Sequence, residues 1–550
     1  MQQKALKIHP ADDIVVALTH LKKGEVVSLD GESYEIQDDV PAKHKFASKD
    51  FQPGERVHMY GVTVGEATQP IRKGGVIATS NISHVADDYT LRSRKTDWTP
   101  PDVSRWTHQT FMGYHRADGR VGTANYWLFL PMVFCENRNL LVIKEALENE
   151  LGYGKTKGYE VNVKSLINQY QHGASADTLL ASDVIMTAEE ISSKRVFPNV
   201  DGIKFLTHEG GCGGTRKDSQ TLCALFAGYI THPNVAGATV LSLGCQNAEV
   251  KTLQEEIKKR DPNFSKPLYI LEQQKSKSEP DLIAEAIKQT FVGLTEANRL
   301  KRQPAPLSKL IVGLECGGSD GFSGISANPA VGHAADLLVT LGGAVILSEF
   351  PELCGVEQEL TDRCTDEDTA RKFIAIMRAY SASAEAVGSG FDANPSPGNI
   401  KDGLITDAIK SAGAAKKGGT SPVMAVLDYT EPVIRPGLNL LCTPGNDVES
   451  TTGLAGSGAN LILFTTGLGT PTGNPVAPVI KVSSNNALAQ RMPDIIDINA
   501  GTIITGEDTI ETKGEEMLEY MIKVASGEAT PHAVRIGQDD FIPWKRGVSL

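Results

Sequence analysis

Residues 309–324 read KLIVGLECGGSDGFSG. An apolar, β-prone run, SKLIVGL (308–314), ends and the chain at once presents Glu315, Cys316, Ser319 and Asp320 among four glycines. An ordinary turn uses one or two glycines. Four imply a backbone that comes very close to something. A strand emptying into such a loop is the pattern of an open parallel α/β sheet, whose ligands gather at the carboxyl ends of the strands.

Working outward, the same pattern recurs. Upstream, NYWLFLPMVF (125–134), GIKFLTH (202–208), GATVLSLG (237–244) and KPLYILEQ (266–273) read as strands, and the segments at 138–150, 217–230, 247–261 and 280–294 as helices. This alternation implies a parallel, doubly wound sheet. Residues 154–199 interrupt it with charged, weakly amphipathic pieces that read as an insertion. After a boundary at LKRQPAPLS (300–308) a second α/β unit follows, with strands KLIVGLE, AVILSEF, PVMAVLD, ANLILFTT and APVIKVS. Before residue 87 the chain is different: LKKGEVV, FQPGERV and IRKGGVI repeat a glycine turn followed by a β-branched strand, the mark of a small all-β domain. PADDIVVALTHL (10–21) reads as a short amphipathic helix, and the polar, proline-containing residues 87–112 as a linker.

Composition excludes several classes. A net charge of −13 argues against a nucleic-acid surface. The start, MQQKALKIHPADD, lacks the apolar core of a secretory signal, and no stretch reaches 18 uninterrupted apolar residues, so neither export nor a membrane span is expected. Eight cysteines without a CxxC pair point to free thiols in a reducing compartment. Four of them, Cys135, Cys212, Cys245 and Cys316, stand just past predicted strands. Such thiols would suit a soft metal such as iron, or a nucleophile beside a histidine, for which His208 and Cys212 are the close pair; buried packing is the alternative for each taken singly. The glycine-rich segments at 456–461 and 467–473 lack the spacing and the following helix of a dinucleotide fingerprint, and no GxxxxGK[ST] exists. Oxygen-rich loops are the stronger signal: SEFPELCGVEQE with Glu349, Glu352 and Glu357, NPSPGN, PGNDVESTTG and FTTGLGTPTG suit a divalent cation and a polyhydroxy ligand.

HKFA (44–47), YGVTVG (60–65), His208 to Cys212, GCQN (244–247), ECGGSDGFSGISANP (315–329), EFPELCGVEQ (349–358), NPSPGN (394–399), PGLNLLCTPGND (436–447) and FTTGLGTPTG (464–473) together resemble the altronate/galactarate dehydratases over almost the whole length, and more of them match altronate members. The resemblance implies a β-clip (SAF) domain over 1–86, a linker over 87–112, a middle α/β domain over 113–303 used in dimer contacts, and a C-terminal Rossmann-like metal-binding catalytic domain over 304–550. It implies a cytoplasmic homodimer dependent on Fe2+, with Mn2+ as the alternative, that removes water from a sugar acid; D-altronate would give 2-dehydro-3-deoxy-D-gluconate.

On that reading Glu315, Cys316, Asp320 and Glu352 are the candidate metal ligands, and His208 and Cys212 the catalytic candidates. His44 and Lys45 would bind the substrate carboxylate, and Asn446, Asp447 and Thr470 its hydroxyls. Segment 154–199 and the loop GGCGG (210–214) depart from the family pattern near the expected cleft, which leaves the sugar acid open. The competing readings are a galactarate or other hexarate dehydratase, a sulfolactate sulfo-lyase, an iron–sulfur hydratase built on Cys135, Cys212 and Cys245, and a sugar-acid binding protein without catalysis.

Overall fold

A computed structural model describes residues 3–92, 97–154, 159–187 and 195–549. The N-terminal domain is built from short antiparallel strands. Ile14–Ala17 lies between Ala5–Leu6 and Lys45–Ala47, and Val76–Ile77 closes that sheet. The helix expected at 10–21 is therefore a strand. Its four residues, IVVA, are all buried, and pairing on both sides overrides a helical pattern only three turns long.

The middle unit is a four-stranded parallel sheet of β1 (Tyr126–Pro131), β2 (Gly202–Phe205), β3 (Val235–Ser242) and β4 (Leu268–Glu272), in the order β2-β1-β3-β4. β1 and β3 are buried at every position, as strands covered on both faces are. The connecting helices are α1 (Asn137–Leu151), α2 (Arg216–Thr231), α3 (Val250–Arg260) and α4 (Glu279–Ala297). Thr215 caps α2 through the Asp218 N–H, and Ser278 caps α4 through the Asp281 N–H. Within the inserted segment Tyr159–Val161 pairs with Ile185–Thr187 beside two short helices; residues 155–158 and 188–194 lie outside the described part.

The C-terminal unit is a seven-stranded, all-parallel sheet: β5 (Ile311–Cys316), β6 (Ala344–Leu347), β7 (Val423–Leu427), β8 (Gly437–Leu441), β9 (Leu461–Thr466), β10 (Val479–Ser483) and β11 (Ile498–Asn499), ordered β7-β8-β6-β5-β9-β10-β11. β5 is near the middle, flanked by β6 and β9, and is followed by the helix α5 (Ala327–Thr340). Strands β8 and β11 are additions to the sequence reading. The boundary segment also forms a strand: Gln303–Pro306 pairs antiparallel with Thr110–His115. One apolar core runs from the N-terminal domain into the C-terminal unit, joining Val57 and Val64 to Leu314 and Leu347. A second joins the middle sheet to the C-terminal one, through Leu128 and Leu130 with Ile462 and Phe464. Among the described residues no helix is long and apolar enough to cross a membrane.

Candidate active site at the carboxyl edge of the C-terminal sheet

β5 delivers Glu315 and Cys316 to the sheet edge, β6 delivers Ser348 and Glu349, and the turn that follows delivers Glu352. All five are buried. Cys316 Sγ lies 3.2 Å from Glu352 Oε2 and 3.6 Å from Glu349 Oε2. The ligand-type atoms of these three residues fall within 4.8 Å of one another. Lysines meet them. Lys417 Nζ donates to Cys316 Sγ and to Glu349 Oε2, both at 2.8 Å, and Lys410, on α6 (Asp407–Ala414), pairs with Glu352. Glu349 holds its backbone in the left-handed region, φ 66, where a side chain other than glycine is strained by about 1–3 kcal/mol.

The electrostatics follow from burial. Burial, then the neighbouring Glu349 carboxyl, raises Glu315 well above the usual carboxylate range. Burial and Glu352 raise Glu349. Against its own burial, Lys410 and then Lys417 hold Glu352 low. Ser348 and Ser450 donate to Glu315 Oε2 at 3.0 and 2.6 Å. Glu315 Oε1 and Glu349 Oε1 are buried with no donor among the described residues. Two facing carboxyls left in this way are stable only with a shared proton or a cation between them. A thiol with two carboxylates is a mixed soft and hard donor set, one that suits a borderline divalent ion such as Fe2+. The residues present thus fit such an ion.

A second pair stands beside this cluster. Lys481, in β10, lies over the Phe464 ring at 3.2 Å from its centre, and its Nζ has no hydrogen-bond partner among the described residues. Burial brings it down to about 7, opposed by Asp447 and Glu315. Asp447 opens α7 (Asp447–Gly456) and is raised to about 7 by burial and by Glu349 and Glu352. The quoted loop now explains two of its glycines. A methyl group on Gly317 would sit 2.0 Å from Asp447 Oδ2, and one on Gly321 would sit 2.3 Å from the Lys43 carbonyl oxygen.

That second contact is the seat of the N-terminal domain. Lys43, also left-handed at φ 76, reaches Asp320 Oδ2 and Asp402 Oδ1, each at 3.0 Å. Asp320 is separate from the thiol–carboxylate cluster. Its Oδ1 accepts from Phe322 N, Ser323 N, Ser323 Oγ and Ser484 Oγ, and its Oδ2 from Asn485 Nδ2 and Lys43. No lone pair is left for an ion, so Asp320 organises its loop and anchors Lys43.

Other expected residues are placed as follows. Lys45 is buried and donates to the Gly403 carbonyl at 2.5 Å; burial brings it down to about 7. His44 Nε2 lies 3.0 Å from the Lys401 carbonyl. Both therefore line the seam between domains, engaged with main-chain oxygens. Asn446 caps α7 through the Val448 and Glu449 N–H groups. Thr470 Oγ1 stands beside Gly318, 3.1 Å from where a methyl group there would be. His208 and Cys212 belong to the middle sheet's edge. Both ring nitrogens of His208 are used by backbone: Nε2 with the Pro131 carbonyl at 2.7 Å and Nδ1 accepting from the Gly210 N–H at 2.9 Å. His208 thus braces the GGCGG loop, and its ring has no nitrogen free for proton transfer. Lys410, Lys417 and Lys481 escaped the sequence reading. A further group of ligand-type atoms, His84, Cys354 and Asp407, lies where the N-terminal domain meets α6, with His84 Nδ1 paired to Asp407.

The family follows from comparison with known proteins. Three family profiles cover the chain in order: "Altronate/galactarate dehydratase SAF domain" over residues 3–85, "D-galactarate dehydratase/Altronate hydrolase, second domain" over 113–298, and "D-galactarate/Altronate dehydratase, C-terminal" over 307–549. The chain belongs to the altronate/galactarate dehydratase family. It is similar to the altronate dehydratases of Bacillus subtilis (strain 168) and Escherichia coli (strain K12), 33% and 32% identical over 545 residues, 99% of each chain. It is 30% identical to the galactarate dehydratase (L-threo-forming) of Escherichia coli (strain K12) over 533 residues, 95% of this chain and 93% of that one. As a member of this family it is an enzyme, a hydro-lyase of sugar acids, and its N-terminal domain is the SAF domain that docks Lys43 on the loop bearing Asp320.

Proposed function

We propose that this dehydratase converts D-altronate to 2-dehydro-3-deoxy-D-gluconate at the carboxyl edge of the C-terminal sheet. Galactarate is the second reading, favoured by the similarity to a galactarate dehydratase. The observation that carries the assignment is the convergence of Cys316, Glu349 and Glu352 with Lys410 and Lys417 in one buried cluster next to the Lys481 amine, which has no hydrogen-bond partner among the described residues. Cys316, Glu349 and Glu352 would hold Fe2+, or Mn2+ in its place, and such an ion supplies stabilisation for the negative charge that grows on the substrate carboxylate as the α-proton leaves.

The chain's own residues account for the rest. Lys481, desolvated and without a hydrogen-bond partner among the described residues, takes the C2 proton of the sugar acid as the neutral amine. Asp447 gives a proton to the C3 hydroxyl, which leaves as water, and the enol then tautomerises to the 2-keto acid. Thr470 and the Gly317–Gly318 backbone border the space where hydroxyls would lie. Thiols that form no disulfide among the described residues suit a cytoplasmic enzyme. The exposed Leu141 and Val142 of α1 and Phe291 and Val292 of α4 give the middle domain an apolar surface for a second copy.

The test is 2-keto acid formation by protein loaded anaerobically with iron. Turnover of D-altronate is expected, with Lys481→Met reduced at least 100-fold. Failure on both altronate and galactarate would overturn the reading.

A further inference from the structure

We infer that the carboxyl edge of the middle sheet is a site for a cubane iron–sulfur cluster, held by Cys135, Cys212 and Cys245. All three thiols are exposed and unpaired. They stand on the loops that leave β1, β2 and β3, which are consecutive in space in the order β2-β1-β3. Strands lie about 4.8 Å apart, so three strand ends present their loops across about 10 Å, a width that one cluster with its thiolates can bridge.

The loops are tied to one another by backbone. The Phe134 N–H donates to the Gly210 carbonyl at 3.1 Å, and the N–H groups of Asn247 and Ala248 donate to the Gly211 carbonyl at 3.1 and 3.3 Å. His208 secures the same loop from below through Pro131 and Gly210. Gly211 is left-handed at φ 98, and a methyl there would come 2.2 Å from the Met132 carbonyl oxygen. The loop bearing Cys212 is thus pressed against the exit of β1, which carries Cys135.

Two further observations point to a ligand. From β1 the chain goes to β2 on one side and then crosses to β3 on the other, so β1 marks the topological switch point, where open α/β sheets bind ligands. A cavity of about 700 Å3 opens there, lined by Cys212, His208, Gly210, Gly211, Asn137 and Asp218 among others, a volume in the range of small-molecule sites. In addition Gln274 Nε2 donates to Cys245 Sγ at 3.3 Å; amide hydrogen bonds to cluster sulfurs tune such centres.

Three thiolates leave one iron of a four-iron cube without a protein ligand, and Cys212 places that corner at the cavity, where an oxygen of a hydroxy acid could occupy it. Binding is ligand exchange: each thiol releases its proton as its sulfur bonds to iron, and no electron is transferred. The site is independent of the Cys316 cluster, and its readout needs no substrate.

The test is anaerobic reconstitution of the full chain with sulfide and equal amounts of ferrous and ferric iron, which together make a cube of two ferrous and two ferric ions with no further oxidation, followed by desalting. About four irons and four sulfides per chain and a broad absorption near ~400 nm are expected. Cys135→Ser, Cys212→Ser and Cys245→Ser should each lose most of both, while Cys354→Ser keeps them. The Cys316→Ser variant should keep the absorption as well, which separates this site from the proposed catalytic one. Retention of the same iron, sulfide and absorption in the triple serine variant would overturn the inference, as would failure of the parent chain to hold sulfide after desalting. Coincident unfolding midpoints of the serine variants and the parent show that any loss is not misfolding.

Discussion

The chain carries two parallel sheets, and each presents thiols at its carboxyl edge in a different physical setting. At the C-terminal edge Cys316 is buried among carboxylates and ammonium groups that hold one another in place. At the middle edge Cys135, Cys212 and Cys245 face outward on loops fixed by main-chain hydrogen bonds, beside His208, which burial pushes down against the opposing Pro131 carbonyl. The first edge must satisfy its charges from within the protein. The second leaves its sulfurs available to something from outside. Shared topology fixes where a ligand goes, and the charge balance fixes what kind it is.

Removing one ammonium group from the charged edge should have the largest effect on stability. Lys417→Met leaves Cys316 and Glu349 without their shared donor, and breaking one partner of a buried pair costs about 3–5 kcal/mol. A drop of that size in urea-unfolding free energy is expected; a loss below 1 kcal/mol would mean the network is not coupled.

A test of intermediate size falls on the middle unit, at the end opposite the thiols. His232 is fully buried, with Nε2 2.9 Å from the Ala459 carbonyl and Nδ1 accepting from the Asn234 N–H. Burial pulls it down to about 3. The folded chain therefore stays neutral there, while the unfolded chain takes up a proton below about 6.5. Stability should fall with pH in that window, by about 2 kcal/mol between pH 7 and pH 5. A His232→Asn variant should lose that part of the slope in urea midpoints measured against pH, and an unchanged slope would show that other groups carry it.

The smallest test compares one substitution at both edges. Cys212→Ser, on an exposed loop, should change stability by less than about 0.5 kcal/mol in the absence of metal. Cys316→Ser, buried against Lys417, should cost about 1–3 kcal/mol. Equal costs in thermal unfolding would erase the contrast.

Much of this contrast was legible in the sequence. The strand-end cysteines, both α/β units and the small β domain all came from apolar runs and glycine punctuation, because parallel strands buried on both faces read as unbroken apolar stretches. Strand β8 was hidden because Pro436 and Gly437 open it and read as loop. The helix at 10–21 failed because IVVA is β-branched and its pairing partners are far off in sequence. The lysines were missed for a different reason. Lysine ordinarily marks the surface, and only Lys481, inside the apolar strand APVIKVS of a covered sheet, gave a warning. Asp320 sits in the most distinctive loop, yet its six donors come from residues as distant as Lys43, Ser484 and Asn485, which spacing does not reveal. In the proposed ligand set Glu349 takes the place expected of Asp320, because the turn after β6 brings Glu349 and Glu352 to the same sulfur.

The left-handed backbone of Glu349 has a consequence for how this enzyme can change. A glycine there would relieve that strain, worth about 1–3 kcal/mol, but it would leave the buried Lys417 ammonium without its carboxylate, a loss of about 3–5 kcal/mol. The strained turn is thus locked by an ion pair that outweighs the strain. Position 349 resists the very exchange to glycine that a left-handed backbone ordinarily invites.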